Sequence, residues 1–406
     1  MPGPPARAFH PVSCVSAQAC REPARGAQSK PSLPIAGVSP ELPMLRRLVL
    51  PALFASALSV PTLAGELGTQ REFRNWLASC DNVRSCQAVS LKPDSDDTAW
   101  VLRLQRDGTA SAPVQLSILP TDGEPGPGTR LVIAHAGRPI ATLAVGRGMA
   151  IVDEVLVIQD RAAIQAVLSA ARTAESLDLR FDPAIPADKP VQTISLAGIS
   201  AALLWIDEQQ QRVGTTTALV RPGSRPASAV PAPPALPPAP PERSQPAGSS
   251  KPVSDAARQA MEQHSQSYCE RDDRSPDTEG ATAIPLGGTL LLASVRCFSG
   301  AYNFSRAFFL LEDGPQPVIR PALFPRPHRD ATPDDPQSPD NVLTNGEPDE
   351  VSAAVSYYAK GRGLGDCGDL GTWQWDGRAF QPIVYRRMPV CRGIPAYHWP
   401  LLYRTR

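Results

Sequence analysis

The sequence is poor in the residues that carry most hydrolytic chemistry. It contains five histidines among 406 residues and no Gly-x-Ser-x-Gly pattern, which is the turn that presents the nucleophilic serine of α/β-hydrolases. It also has no Cys-x-x-Cys pair, and structural zinc sites are typically built from such closely spaced ligands. We therefore predict neither a metal nor another cofactor.

Charge of one sign is not in excess either. The chain has 40 basic and 40 acidic residues, and removing residues 1–64 leaves a mildly acidic remainder. Nucleic-acid binders carry a basic patch or stripe, so we expect no nucleic-acid partner. The apolar run from Leu48 to Val60 is shorter than the roughly 20 residues that a membrane-spanning helix needs.

The first 64 residues have the pattern of a segment that the folded protein does not retain. Residues 1–43 are rich in Pro, Ala, Arg and Ser without apolar periodicity, so we expect them to be disordered or not translated. From Met44, two arginines, an apolar run and a small-residue site ending at Ala64 follow in the order of a secretory signal peptide. A short membrane anchor is the disfavoured alternative. We predict a signal peptide at 44–64 and a periplasmic or secreted protein with no membrane span after cleavage.

The placement of the cysteines agrees with export. Of the eight cysteines, two precede Met44 and six follow Ala64. An even number in an exported chain indicates disulfides, although the sequence leaves their connectivity open. The six cysteines occur in three separated clusters, which favours the local pairs Cys80–Cys86, Cys269–Cys297 and Cys367–Cys391.

Short apolar segments separated by Gly, Pro and Asp dominate the rest of the chain. Their spacing predicts antiparallel strands in a sandwich or barrel-like arrangement. The Pro/Ala-rich stretch 222–252 predicts an extended linker, which separates an N-terminal domain at 65–221 from a C-terminal domain at 253–406. The expected fold is a β-rich α+β fold of two disulfide-clamped antiparallel β domains with a few short helices.

Three short helices are predicted within this β-rich pattern. Asp160 is placed to cap a helix over Arg161–Thr173, and Ser195 is placed to cap a second helix that ends near Val213. Apolar residues recur at helical spacing in both segments. A third helix is expected over Ser254–Gln263.

The stretch Lys360–Pro400 carries the most distinctive pattern. An Asp-Gly pair at 376–377 predicts a tight hairpin turn, and Cys367 and Cys391 are placed to staple the open end of that hairpin. Residues 363–368 match Gly-x-Gly-x-x-Gly. A strand is predicted to follow instead of the helix that a dinucleotide site requires, so we interpret these glycines as turn residues.

Candidates for catalysis are few. Among the histidines that follow the predicted signal peptide, only His398 lies close to the stapled hairpin, and it is the one candidate general base. Packing against Tyr397 and Trp399 is its favoured interpretation. Asp349 and Glu350 are adjacent, but neighbouring side chains in a strand point to opposite faces, so we interpret this pair as a solvated loop end and not as a glycosidase acid and base.

Aromatic and arginine side chains concentrate in the C-terminal part of the chain. They form either a surface that binds a glycan, peptide or protein or, as the favoured interpretation, part of the core. Trp373 and Trp375 share one strand face in both cases. The candidate binding-surface residues are Tyr302, Trp373, Trp375, Arg378, Arg392 and Trp399.

Several motifs of this chain occur together in one bacterial family. They are RNWLASCDNVRSCQAVSL, AGISAALLWIDEQQQRVGT, CFSGAYNFS, KGRGLGDCG, W-x-W-D-G, CRG and the final WP. Over Gly65 to Arg406 they resemble the exported six-cysteine proteins known as domain of unknown function 1176. That family has no assigned activity, so the resemblance implies export and no particular reaction. Residues 70–220 are also similar, more faintly, to the small exported β-rich invasion-associated locus B proteins.

Three functions remain open at this point. The first is a non-enzymatic binding or interaction module of the bacterial envelope, whose partner is an envelope protein or polymer. The second is an envelope-directed hydrolase that uses His398. The third is a lysozyme-inhibitor-like protein, because SGAYN at 299–303 is similar to the Ser-Gly-x-x-Tyr motif of periplasmic lysozyme inhibitors, with the tyrosine one residue early.

Overall fold

The computed structural model of the chain describes residues 68–91, 100–120, 126–185, 191–241, 250–269, 281–326 and 339–406. The predicted signal peptide at 44–64 and the segment 1–43 lie outside these residues. The described residues belong to one compact unit, Pro61–Arg406. Antiparallel strands dominate it and three α-helices occur in the described part, which confirms the β-rich α+β fold. No helix in the described ranges is long and apolar enough to cross a membrane.

The first sheet contains eleven strands from residues 69–195. They are β1 Thr69–Phe73, β2 Trp76–Cys80, β3 Cys86–Ser90, β4 Trp100–Arg106, β5 Gln115–Pro120, β6 Arg130–His135, β7 Arg138–Val145, β8 Gly148–Val152, β9 Val155–Ile158, β10 Ser176–Asp182 and β11 Val191–Ser195. Their order is β1-β2-β3-β4-β5-β9-β8-β7-β6-β10-β11, and only β7 and β8 pair in parallel. Strands β8 and β9 are separated by a tight turn, in which Asp153 and Glu154 have positive φ.

This sheet curls so that strands far apart in its order meet in the core. Trp100 of β4 stacks on Phe181 of β10 with 4.5 Å between ring centroids, and its indole N–H donates to the carbonyl of Ile185 at 2.9 Å. The indole N–H of Trp76 in β2 donates to the carbonyl of Ser195 at 3.0 Å. The enclosed apolar cluster makes this part of the molecule barrel-like.

Two helices cover this sheet, and a third covers the C-terminal half. Helix α1, Arg161–Thr173, begins as predicted, with the Asp160 side chain accepting the Ala163 N–H. Helix α2, Ile199–Gln209, begins after Gly198 and not after Ser195. The helix itself was predicted, but its start was wrong because β11 pairs with β10 as far as Ser195. It also ends at Gln209, before the predicted end near Val213. Helix α3, Asp255–Ser265, is capped by Ser254 and starts where predicted.

The C-terminal half is a sandwich of two antiparallel sheets. The six-stranded sheet contains β12 Lys251–Pro252, β13 Thr282–Gly287, β14 Leu290–Ser299, β15 Phe304–Glu312, β16 Val318–Pro321 and β17 Val342–Thr344. The five-stranded sheet contains β18 Glu347–Pro348, β19 Ala354–Lys360, β20 Gly368–Trp375, β21 Phe380–Met388 and β22 Leu401–Arg404. The space between the two sheets is filled by aromatic side chains, Phe308, Phe324, Trp373 and Phe380. Helix α3 packs on the outer face of the six-stranded sheet.

The five-stranded sheet also packs on the first sheet. Leu77 and Val101 share one apolar cluster with Met388 and Trp399. The last strand is tied to the turn between β2 and β3, because Arg404 donates to the Asp81 carboxylate at 2.8 Å. The described part of the proline-rich stretch runs along the surface, where the Pro237 carbonyl accepts the N–H of Arg406. The division into two domains stays a prediction.

Candidate functional site

A turn between β14 and β15 presents an exposed tyrosine. Ser299 ends β14 and Phe304 begins β15, and the turn between them closes through a bond from the Gly300 N–H to the Asn303 carbonyl at 2.7 Å. Tyr302, at the tip, is 45% exposed. This is the SGAYN motif, and it folds as a turn because its small residues and asparagine suit one.

Tyr302 lies at the edge of a cleft of about 560 Å³. We call it the Tyr302 cleft and define it by six of its lining residues, Tyr302, Asn303, Asn345, Glu347, Tyr358 and Lys360. The volume falls within the range of ordinary small-molecule sites. The lining combines aromatic rings with a carboxylate, an ammonium group and amides, so the cleft offers both apolar faces and polar anchors.

Two asparagines hold the walls of the cleft together. The Asn303 side chain donates to the Lys360 carbonyl at 2.8 Å, and its oxygen accepts the Asn345 amide at 2.9 Å. Asn345 also donates to the Tyr358 carbonyl at 2.8 Å, while its side-chain oxygen accepts the Phe304 N–H at 3.0 Å. Three separate segments are thereby joined through half-buried amides, which makes the cleft a preformed feature.

Tyr358 connects the cleft to the stapled loop that follows β19. Its hydroxyl donates to the Gly365 carbonyl, and its ring meets Trp399 edge-on at 5.6 Å. The Lys360 ammonium lies 5.4 Å from the ring centroid, within reach of a cation–π interaction. Burial, reinforced by the charge of Asp366, raises the pKa of the Tyr358 hydroxyl, so this phenol stays protonated and acts as a donor.

The structure contains the three predicted disulfides, Cys80–Cys86, Cys269–Cys297 and Cys367–Cys391. The third closes the loop beside the cleft. Asp366, next to it, accepts the Arg362 Nε at 2.7 Å and the Gly393 N–H at 2.6 Å. Asp366 and the two sulfurs lie close together, but the sulfurs are bonded to each other and offer no thiolate to a metal.

The Gly-x-Gly-x-x-Gly match has a conformational role. Gly368 has φ 129°, and a Cβ there would lie 1.9 Å from the Ala359 carbonyl oxygen. Strand β20 begins at this glycine, so the loop lacks the helix N-terminus that holds a dinucleotide pyrophosphate. The interpretation of these glycines as turn residues fits this geometry.

Replacing Asp366 with asparagine is expected to lower the free energy of unfolding by about 1–3 kcal/mol at neutral pH, because a charged acceptor of several hydrogen bonds is lost. Burial alone would raise the pKa of Asp366, but Arg362 and the Gly393 N–H outweigh it and hold the pKa below its ordinary value. The folded state therefore favours the carboxylate, and this stability is lost as the pH falls through the lowered pKa.

Urea denaturation at pH 7 and below pH 4 tests this prediction. The difference in unfolding free energy between the natural chain and Asp366→Asn is expected to shrink at the lower pH. Asp313→Asn is the matched control, because that carboxylate also has a lowered pKa but lies exposed at a turn. Its replacement is expected to cost less unfolding free energy at pH 7 than Asp366→Asn, because solvent screens an exposed charge. A loss for Asp366→Asn that does not depend on pH would contradict the assignment.

Three residues of the predicted binding surface are in the core. Trp373, Trp375 and Trp399 are at most 2% exposed. Alternate positions of β20 face the sandwich interior, where Trp373 packs on Phe324 with centroids 5.5 Å apart. This burial fits the favoured interpretation of the tryptophans as core residues and corrects the alternative that placed them on a binding surface. Of the six predicted residues, Tyr302 alone lines the cleft described above; Arg378 is exposed in the β20–β21 turn, and Arg392 is half-buried.

The catalytic candidates have packing and turn roles in the structure. His398 is 4% exposed, and its ring lies 4.3 Å from that of Tyr397. A general base must reach its substrate, and this buried position gives no such access. Asp349 accepts the N–H groups of Val351 and Ser352, which lower its pKa, so it acts as a turn residue.

Sequence reasoning missed the asparagines and a buried phenol cluster. Tyr357 and Tyr385 both donate to the Asp369 carboxylate. Burial and the nearby carboxylate raise the pKa of both hydroxyls.

The Asn345-Gly346 pair was a detectable turn signal. The partners of Asn345 lie in other segments of the chain, so no local pattern pointed to its role.

Comparison with known proteins gives a family without an assigned activity. The chain is 30% identical over 370 residues to the "Uncharacterized protein YpfG" of Escherichia coli (strain K12), covering 87% of this chain and 98% of that protein. A crystal structure of invasion associated protein b from Bartonella henselae is matched at 16% identity and a TM-score of 0.26, covering 35% of this chain and 99% of the other. Residues 70–406 match the family described as "Protein of unknown function (DUF1176)", and the chain therefore belongs to that family.

Proposed function

We propose that this chain is an exported protein of the bacterial envelope that binds a polymer segment in the Tyr302 cleft and does not catalyse a reaction on it. Three disulfides support an oxidising compartment. The pattern at 44–64, with two arginines, an apolar run and a small-residue site, supports secretion. The buried position of His398 favours binding over hydrolysis.

The observation that carries the proposal is an exposed aromatic side chain held at the edge of a preformed cleft. The turn that bears Tyr302 is fixed by the amides of Asn303 and Asn345, so the ring is presented without ordering a loop on binding. Glu347 and Lys360 add charged groups to the lining of the cleft. Aromatic faces flanked by polar groups match the alternating apolar faces and hydroxyls of a sugar ring. The polymer we propose is therefore an envelope glycan.

Replacing Tyr302 with alanine is expected to weaken binding of envelope glycan fragments by about tenfold or more. An aromatic face that is buried on binding contributes roughly 1.5–3 kcal/mol, and each 1.4 kcal/mol is a factor of ten. The measurement is isothermal titration calorimetry with solubilised envelope glycan fragments.

Export is tested separately. The protein is recovered from a periplasmic extract, and mass spectrometry is expected to show Gly65 as its first residue.

The matched control is Tyr397→Ala, since Tyr397 is 61% exposed and is not a lining residue of the cleft. It is expected to leave the affinity unchanged. Equal affinities of the natural chain and Tyr302→Ala would overturn glycan binding at this cleft. Recovery from the cytosol with residues 1–64 attached would overturn export, independently of the binding result.

One observation favours the lysozyme-inhibitor alternative. Tyr302 stands exposed in a turn directly after Ser299-Gly300, so the one-residue shift within SGAYN does not turn its side chain toward the core. An inhibitor would insert this turn into the enzyme's substrate cleft. The same two variants test this: inhibition of lysozyme by the natural chain that is lost in Tyr302→Ala and kept in Tyr397→Ala would select this function over glycan binding.

A further inference from the structure

A second cavity lies beside α1, in the N-terminal half of the chain. It has a volume of about 580 Å³ and is bounded by α1, the segment before β5 and the segment after α2. Three arginines line it, Arg106, Arg161 and Arg172. None of its described lining residues is acidic. We call this cavity the arginine pocket.

The spacing of residues along α1 places two of these arginines on one face. Arg161, Gln165, Leu168 and Arg172 all line the pocket, and residues at such intervals lie above one another on a helix. Both arginines are largely exposed at the wall, so their charges are available to a ligand. Gln165 lies between them and adds an amide donor.

Two of the arginines are held in place by main-chain carbonyls. Arg106, on β4, donates to Ala112 at 3.0 Å and to Thr217 at 2.7 Å. Arg172 donates to Leu219 at 3.1 Å. Because carbonyl groups orient a guanidinium without neutralising it, these bonds preorganise positive charge around the cavity.

The charge beneath the pocket is not balanced. Arg106 and Arg212 are both buried, and Asp207 is the buried carboxylate that interacts with both. One oxygen of Asp207 lies 4.0 Å from Arg106, and the other accepts the N–H groups of Leu219 and Val220. Burial and the neighbouring Arg212 lower the pKa of Arg106 to about 10. Two buried guanidinium groups therefore lie near one buried carboxylate.

We propose that the arginine pocket is a binding site for a small anion of the phosphate or carboxylate class with at least two negative charges. Guanidinium groups bind both classes through paired N–H donors. Such a ligand would offset the excess positive charge of the buried pair and contact Arg161 and Arg172 at the wall. The site lies apart from the Tyr302 cleft, and it does not depend on glycan binding.

The test is calorimetric titration of the natural chain with inorganic pyrophosphate and, separately, with citrate, at constant ionic strength. At least one probe is expected to bind saturably with one site per chain. The double substitution Arg161→Ala/Arg172→Ala is expected to weaken that binding by about tenfold or more, since hydrogen bonds to two charged groups are lost. The probe that binds identifies the class of anion.

The matched control is Arg138→Ala/Arg180→Ala. It also removes two positive charges, but from exposed positions on β7 and β10 of the eleven-stranded sheet. It is expected to keep the affinity. Equal weakening by both double variants, or no binding of either probe to the natural chain, would overturn the proposal. The single reversal Arg161→Glu, at an exposed position, repeats the test if circular dichroism shows that the alanine double variant is unfolded.

Discussion

Replacing Gly198 with alanine is expected to lower the free energy of unfolding by about 3 kcal/mol or more. Gly198 has φ 99°, a conformation that L side chains rarely adopt, and a Cβ there would lie 1.8 Å from the Phe73 carbonyl oxygen. The obstacle is backbone at the end of β1 and not a movable side chain. Either β1 or the start of α2 must shift, and the N–H of Asn75, which donates to the Ala197 carbonyl, moves with them.

The control for this prediction is Gly137→Ala. Gly137 has φ 74° but nothing within 4 Å of its added Cβ, so only the conformational cost of about 1 kcal/mol is expected. Urea denaturation of the two variants measures the difference, which isolates the steric contribution. Equal losses of unfolding free energy would show that the close approach of α2 to β1 relaxes without cost.

Gly198 also marks a limit of sequence reasoning. Ser195 is a good capping residue, and the apolar positions after it recur at helical spacing, so local signals place the helix start there. In the structure the Ser195 backbone pairs with Ser176 of β10, and its carbonyl accepts the Trp76 indole. Long-range strand pairing therefore won over local capping at Ser195, whereas Asp160 lies beyond the end of β9 at Ile158 and capped α1 as predicted.

The same difference between local and long-range signals explains which parts of the candidate site could be predicted. The three disulfides were predictable because the two cysteines of each pair lie near each other in sequence. The Tyr302 cleft was not, because Asn303, Asn345 and Tyr358 come from different segments and meet only in the folded sandwich. Composition showed where aromatic residues concentrate, but their exposure depends on which sheet face is covered. Only the packing of the five-stranded sheet on both of its neighbours settles that.

Trp399→Ala is expected to cost about 3–5 kcal/mol of unfolding free energy, the usual range for removing a fully buried tryptophan. Trp399 is 0% exposed, and its indole N–H donates to the Ile394 carbonyl at 2.8 Å. It lies in the apolar cluster that joins Leu77 and Val101 of the eleven-stranded sheet to Met388 of the five-stranded sheet. A cavity there weakens the contact between the two halves, so we also expect the urea transition to broaden or divide in two.

Tyr397→Ala provides the contrast two residues away. Tyr397 is 61% exposed, so its replacement is expected to change the unfolding free energy by no more than about 0.5 kcal/mol. Trp399→Phe should fall between the two, because it keeps an aromatic ring but loses the bond to Ile394. If Trp399→Ala were as mild as Tyr397→Ala, the sheets would be held by other contacts, such as the Arg404–Asp81 pair. An intermediate loss of unfolding free energy in Trp399→Phe, together with a two-step urea transition in Trp399→Ala, would show that this apolar cluster holds the two halves together.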